Sequence, residues 1–241
     1  MIATTKPILL LKLLVLALIV SPQLTVAAEL DKNILYSLDF SSQPDGSALD
    51  WLKQNGFVIE LDATKLNPRF ENHQLVLSTN DELAGIFGLR VEDKNLTGVE
   101  SVEVEWSVSR FPDGASWEKG NNRVAVALMI FFGTERLSSG LPFGINSAPY
   151  FFSPFVTNVD PPGKKYLGKL YKKGGRYYSV GAPENASEIF TTDFELKQRF
   201  LAEFKKKEVP AVTAVAFQMN TEDTKGGAVA SIRRISFIGK P

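Results

Sequence analysis

Few side chains in this sequence are of the kinds that perform nucleophilic or metal chemistry. The chain of 241 residues has no cysteine and a single histidine, His73. A zinc site needs three or four Cys, His or carboxylate ligands, and a serine triad would have to use His73, which has no nucleophile motif near any serine. Residues 220–224 offer oxygen ligands without the full spacing of a calcium loop. The sequence therefore predicts no metal site and no cofactor, a turn at 220–224, and a surface or capping role for His73.

Paired carboxylates are the one catalytic arrangement that the sequence leaves open. Glu103 and Glu105 alternate with apolar residues, which places both side chains on one face of a strand, about 7 Å apart by the strand rise. Glycoside cleavage needs an acid and a second carboxylate several Å apart. The two residues are therefore candidates for a hydrolase or lyase acting on a polysaccharide. The simpler interpretation is that outward glutamates keep an alternating strand soluble.

A second set of residues is suited to binding. Flat aromatic rings stack on sugar faces, and nearby polar groups orient the hydroxyls. Residues of these kinds are Trp106, Trp117, Asn121, Asn122, Arg123 and Tyr150. They support our leading hypothesis, a periplasmic or extracellular binding module whose favoured ligand is carbohydrate. A structural protein of the cell envelope, without a small ligand, is a third hypothesis.

Residues 164–178 form the one strongly basic stretch. They include six cations and four tyrosines and no acidic residue. Residues 172–176 have the pattern of a hairpin turn, and the favoured interpretation is a hairpin whose lysines protect a sheet edge. The alternative is a platform that binds an anionic polymer through its cations and tyrosine rings.

These candidates must be positioned by strands, because the apolar residues around them recur with a period of two. Residues 102–108 place Val102, Val104, Trp106 and Val108 on one face, the pattern of a half-buried strand. Residues 124–132 contain no charge, as expected of a strand covered on both faces. A turn-rich link joins the two segments. We therefore expect them to pair antiparallel at the middle of a sheet.

Strand-like runs separated by turn signals occupy most of the remaining sequence. They cover residues 34–40, 56–61, 69–77, 84–91, 212–219 and 229–238. Only residues 193–207 have the pattern of a helix, with a capping box of Thr192 and Glu195 followed by an apolar stripe. The predicted fold is all-β, an antiparallel two-sheet β-sandwich of jelly-roll type with one short helix near the C-terminus.

Residues 1–28 have the pattern of a secretory signal peptide. Lys6 precedes an apolar run over residues 8–20, interrupted only by Lys12, and small residues end the segment at Ala27 and Ala28.

Without residues 1–28 the chain has 25 basic and 27 acidic side chains, a net charge of −2, which argues against a nucleic-acid partner.

We expect residues 29–241 to form a single domain with no transmembrane segment after signal cleavage. The expected partner is a glycan or a component of the cell envelope. A secreted chain without cysteine suits a bacterial periplasmic or extracellular location.

The residues that open and close the long apolar strands follow a recognisable order. They are Trp106, then Asn121, Asn122 and Arg123 before the apolar run 124–131, then Tyr150, Asp193, Phe194 and the closing run 214–228 with Asn220 to Asp223. Over residues 86–237 this order resembles a family of secreted bacterial proteins known only as a domain of unknown function. That family has an acidic pair where this chain has asparagines, and a tryptophan where this chain has Phe151 and Phe152. The resemblance implies a secreted β-sandwich and no particular activity.

Overall fold

The structure, a computed structural model, describes residues 32–141 and 147–240. The predicted signal peptide at residues 1–28 lies outside the described residues. The strands are β1 (Ile34–Asp39), β2 (Gly46–Ser47), β3 (Val58–Leu61), β4 (Arg69–Glu71), β5 (Gln74–Thr79), β6 (Ala84–Arg90), β7 (Val99–Arg110), β8 (Val124–Leu137), β9 (Ala148–Thr157), β10 (Lys165–Tyr166), β11 (Gly175–Gly181), β12 (Phe190–Glu195), β13 (Val212–Asn220) and β14 (Ala228–Gly239). The helices are α1 (Leu49–Gln54) and α2 (Lys197–Phe204), with 3₁₀ turns at Ala63–Leu66 and Glu92–Lys94.

The strands form two sheets, which confirms the predicted all-β sandwich. Sheet A has the order β12-β7-β14-β5-β4-β2, with β1 also paired to β14, and sheet B has the order β10-β11-β9-β8-β13-β6-β3. The prediction of purely antiparallel sheets is wrong at one place, because β9 and β11 run parallel. Residues 158–174 make a crossover between these two strands and return the chain in the same direction.

The two long central strands do not pair with each other, contrary to the sequence prediction. Strand β7 lies between β12 and β14 in sheet A, whereas β8 lies between β9 and β13 in sheet B. Their inward side chains, including Trp106, Leu128 and Ile130, meet in the core between the sheets. The linker at residues 111–123 therefore crosses from one sheet to the other. Apolar periodicity marks both strands as central but does not say whether they pair or stack.

The predicted helix begins later than its capping signal indicates. Residues Phe190–Glu195 form the edge strand β12 against β7, with Phe194 opposite Val102. Helix α2 starts at Lys197 without a side-chain cap from Leu196. Glu195 accepts a hydrogen bond from the backbone N of Gln198 at 3.2 Å instead. Strand pairing here overrides a local helix signal, and α1, with six residues, is too short to show a periodic pattern.

His73 lies in a turn rather than inside a strand. It lies between β4 and β5 with a φ of 62°. Its side chain is exposed, and its Nδ1 lies 2.8 Å from the carbonyl oxygen of Ser41.

Within residues 32–141 and 147–240, no group of three or more metal-binding side chains is found. No helix in that part of the chain is long and apolar enough to cross a membrane.

Candidate functional site

The residues that the sequence proposed as ligand contacts do not gather in one place. Trp106 is fully buried in the core, so the prediction that its ring binds a ligand is wrong. Tyr150 is half-buried, and its ring centre lies 5.8 Å from that of Phe200 and 4.6 Å from that of Phe204 on α2. These two side chains are therefore separate packing elements.

Asn121, Asn122 and Arg123 lie together at the end of the linker before β8. The side-chain nitrogen of Asn121 donates to the backbone oxygens of Gly114 and Asp223, each at 3.1 Å. Arg123 donates through Nε to the backbone oxygen of Glu222 at 2.7 Å and pairs with the Asp223 carboxylate. Asn121 and Arg123 therefore bind the linker to the turn at 221–224. Asn122, between them in the sequence, is half-buried.

Glu103 and Glu105 lie on sheet A in ion pairs. Glu105 is buried and accepts a 2.8 Å hydrogen bond from Nε of Arg234, and its other oxygen lies 3.5 Å from Nε of Arg233. Glu103 pairs with Lys32. The two carboxylates therefore neutralise cations on β14 and near the start of β1.

The feature that the sequence analysis missed is the outer face of sheet B. A sandwich sheet that faces water normally alternates apolar inward and polar outward residues. Here the outward positions form three cross-strand rows that are largely apolar: Val58, Gly88, Ala216 and Met129; Arg90, Ala214, Phe131 and Phe151; and Glu60, Ile86, Gln218 and Ala127. Gly88, Ala214 and Ala216 lie in the middle, on β6 and β13, and larger side chains lie on both sides. The outer face therefore forms an apolar depression, which we call the trough, enclosing about 450 Å³.

Four rings form the wall of the trough on the β8, β9 and β11 side. The ring centre of Phe151 lies 5.4 Å from Phe131, 5.8 Å from Tyr171 and 5.6 Å from Tyr177. Burial, followed by the influence of Tyr171, raises the pKa of Tyr177 to about 12. Its hydroxyl therefore stays neutral at physiological pH and can donate a hydrogen bond. We call these four residues the aromatic wall.

Trp117 supports this wall from behind. It is 8% exposed, and its ring centre lies 4.5 Å from Tyr177 and 4.9 Å from Phe155. Trp117 was predicted to contact a ligand directly, but the structure assigns it a supporting position behind Tyr177.

A buried carboxylate fixes the loop that carries Trp117. Asp160 accepts hydrogen bonds from Ser116 Oγ at 2.9 Å, from the backbone N of Trp117 at 3.2 Å and of Glu118 at 3.1 Å, and from Thr157 Oγ1 at 3.2 Å. Because Asp160 follows β9, it ties the linker to the strand that bears Phe151.

Tyr171 reaches the trough from a strained backbone. Its φ is 57°, in the left-handed region that costs about 1–2 kcal/mol for a residue with a Cβ atom. The conformation is held by backbone hydrogen bonds from Tyr171 N to Ser139 O at 2.8 Å and from Gly175 N to Tyr171 O at 2.7 Å. Such strain concentrates at ligand clamps and active sites.

Three polar side chains lie among the residues that line the trough: Glu60, Arg90 and Gln218. None of them has a hydrogen-bond or ion-pair partner within the described part of the chain. Glu60 is the single carboxylate among the described lining residues. The trough thus offers unpaired polar groups to a ligand but not the pair of carboxylates that glycoside cleavage requires.

The basic stretch at residues 164–178 lies at the edge of sheet B and contributes Tyr171 and Tyr177 to the aromatic wall. Strand β10 pairs antiparallel with β11, with Lys165 opposite Tyr178. The chain reverses over residues 167–174, so the predicted turn at 172–176 is displaced because Gly175 and Arg176 belong to β11. Three cations are paired: Lys164 with Glu118, and Lys165 and Arg176 with Glu203.

Glu203 of α2 should make stability depend on pH. Burial raises the pKa of Glu203, but hydrogen bonds from Lys165 and Arg176 outweigh burial and hold the pKa below its usual value. A carboxyl with a lowered folded pKa stabilises the fold above the unfolded pKa, about 4.3, and that contribution is lost as the pH falls through the folded pKa. We expect Glu203→Gln to lower the free energy of unfolding at pH 7 by about 1 kcal/mol, with the difference shrinking below about pH 4.

Urea unfolding at pH 7, 5 and 3 measures this difference. Glu184→Gln is the matched control, because Glu184 is exposed and should show no such trend. A Glu203→Gln deficit that is the same at all three pH values would contradict the assignment.

Comparisons with known proteins yield only distant structural similarities. No family model matches the sequence, and no curated protein matches it. The carbohydrate recognition domain of Emp46p in its potassium-bound form has 14% identity and a TM-score of 0.43, covering 87% of this chain and 100% of that chain. A family 12 xyloglucanase from Bacillus licheniformis has 13% identity and a TM-score of 0.37, and the match covers 86% of this chain and 98% of the xyloglucanase chain. The K2 cleaved adhesin domain of Lys-gingipain has 14% identity and a TM-score of 0.37, and the match covers 84% of this chain and 96% of the adhesin domain. The function of the trough therefore has to come from its own residues.

Proposed function

We propose that this protein is a secreted carbohydrate-binding module that holds a glycan in the trough, in the bacterial periplasm or outside the cell. The observation that supports the proposal is the composition of the outer face of sheet B. An apolar floor, an aromatic wall and three unpaired polar side chains line one cavity. Its volume, about 450 Å³, lies within the usual range for small-ligand sites.

The chemistry of this lining matches the two kinds of surface that a sugar ring presents. The C–H face of a pyranose packs on flat aromatic rings, which Tyr171, Tyr177 and Phe131 supply. The hydroxyl groups at the ring edge need donors and acceptors, which Gln218 and Glu60 supply through an amide and a carboxylate.

Binding is favoured over hydrolysis by the placement of the carboxylates. Glu60 is the one carboxylate in the described lining of the trough. Glu103 and Glu105 are in ion pairs on sheet A. A glycosidase of the usual kind needs two carboxyl groups that flank the scissile glycosidic bond. We therefore expect a bound glycan to be released intact.

Replacement of Tyr171 by glycine should separate binding from stability. Glycine adopts a φ near 57° without strain, so relief of about 1–2 kcal/mol offsets the lost contact between Tyr171 and Phe151. We expect Tyr171→Gly to unfold within about 1 kcal/mol of the wild type and to bind glycans at least about tenfold more weakly, the effect of removing a central aromatic contact.

A glycan array followed by titration with the best ligand measures the loss. Tyr150→Ala is the matched control, since it removes a tyrosine ring that packs on α2 outside the trough. Uniform absence of binding by the wild type, or a loss caused by Tyr150→Ala and not by Tyr171→Gly, would refute the proposal.

A further inference from the structure

The trough continues beyond Arg90 into a second cavity. This cavity encloses about 360 Å³ and shares Arg90, Phe131, Ala148 and Ala214 with the trough, and it adds Arg136. A ligand on the aromatic wall can therefore extend past Arg90 toward Arg136. We call this second cavity the basic end.

Charge is distributed unequally along the trough. Glu60 lies opposite Ile86 in the register of β3 and β6, whereas Arg90 lies four residues further along β6, about 13 Å away by the strand rise. Arg136 lies beyond Arg90. The trough is therefore acidic near Glu60 and basic near Arg90 and Arg136.

Both arginines have donors available for a ligand. Arg90 is exposed, and no described residue forms a hydrogen bond or ion pair with its guanidinium. Arg136 donates through Nε to Ser147 Oγ at 3.0 Å and through Nη2 to the Ser147 backbone oxygen, so Nη1 has no described partner. Glu92 is the one acidic side chain among the described lining residues of the basic end, and it forms no ion pair with either arginine.

We propose that the trough is specific for an anionic glycan, whose carboxylate or sulfate binds Arg90 and Arg136 while its sugar rings lie on the aromatic wall. This inference rests on the proposed function and specifies the ligand class. A guanidinium is suited to the task because its planar donors match a carboxylate or sulfate in a bidentate geometry. The acidic Glu60 end repels an anion, so the charge distribution also fixes the direction in which the glycan lies.

The test compares tetrasaccharides that differ in charge. Calorimetry at 0.15 M salt would use cello-oligosaccharide as the neutral probe, oligogalacturonate as the carboxylated probe and carrageenan oligosaccharide as the sulfated probe. We expect at least one anionic probe to bind about tenfold or more tighter than the neutral probe, the size of one charge-assisted contact. The two anionic probes also differ in their sugars, so the anion is identified by the probe whose advantage over the neutral probe is lost in Arg90→Gln.

Arg90→Gln should remove this preference, because it lowers the affinity for the anionic probes by about tenfold or more and the affinity for the neutral probe by much less. Lys53→Gln is the matched control, because Lys53 is an exposed cation on α1, away from the trough, and should keep the preference. Thermal unfolding of each variant verifies the fold. Neutral binding without an anionic preference, or a preference that survives in both Arg90→Gln and Arg136→Gln, overturns this inference and leaves the proposed function standing. Failure of all three probes together with a blank glycan array overturns both.

Discussion

Asp160→Ala should destabilise the protein by about 3 kcal/mol or more, because it leaves four donors without their shared acceptor. Asp160 is 5% exposed and accepts from Ser116, Trp117, Glu118 and Thr157. Hydrogen bonds to a charged group contribute about 1.5–3 kcal/mol each, and buried donors that lose their partner cannot all reach water. The linker around Trp117 should loosen, and Tyr177 should lose the ring that supports it.

Chemical denaturation and tryptophan fluorescence measure both effects. The midpoint of unfolding should fall, and the emission of Trp117 should shift toward longer wavelength before global unfolding. Asp113→Ala is the control, because Asp113 is an exposed aspartate in the same linker and should change stability by no more than about 0.5 kcal/mol. Asp160→Ala with unchanged stability would show that the linker is held by other contacts.

Strand existence and the direction of side chains were predictable from sequence. In β7, Val102, Val104, Trp106 and Val108 are all buried, as the alternation requires. Glu105 was predicted to be exposed but is buried, because Arg234 on the paired strand covers it. The identity of a pairing partner depends on contacts between segments distant in the sequence, such as that of Val102 with Phe237, which a local pattern does not encode.

The trough was missed although its signal was present. The run at residues 124–132 has no charge, and a strand covered on both faces by protein was the expected explanation. In the structure one face packs in the core, and Met129 and Phe131 on the other face border the trough. These uncharged residues border a depression only because the strand register places Gly88 and Ala216 beside Met129. Tyr171 could not be assigned because its place depends on the crossover at residues 158–174.

Gly88→Phe should weaken glycan binding about a hundredfold or more while the fold persists. A Cβ atom at Gly88 would have Ala216 Cβ and the Val58 oxygen as its nearest neighbours, both at 4.0 Å, so a larger side chain enters the trough and displaces nothing. Phenylalanine also suits a strand better than glycine does, and glycine in a strand costs about 0.5–1 kcal/mol relative to alanine. We therefore expect unchanged or slightly higher stability.

Occupation of the trough by the new ring should weaken binding about a hundredfold or more, since the floor and the aromatic wall can no longer contact one ligand together. Thr191→Phe is the matched control, because it places the same side chain at an exposed position on β12 of sheet A and leaves the trough open. Titration of the wild type and both variants with the same glycan decides the question. A Gly88→Phe variant that folds and binds as tightly as Thr191→Phe would locate the ligand somewhere other than the trough, since no sugar ring and phenyl ring can occupy the space above Gly88 at once.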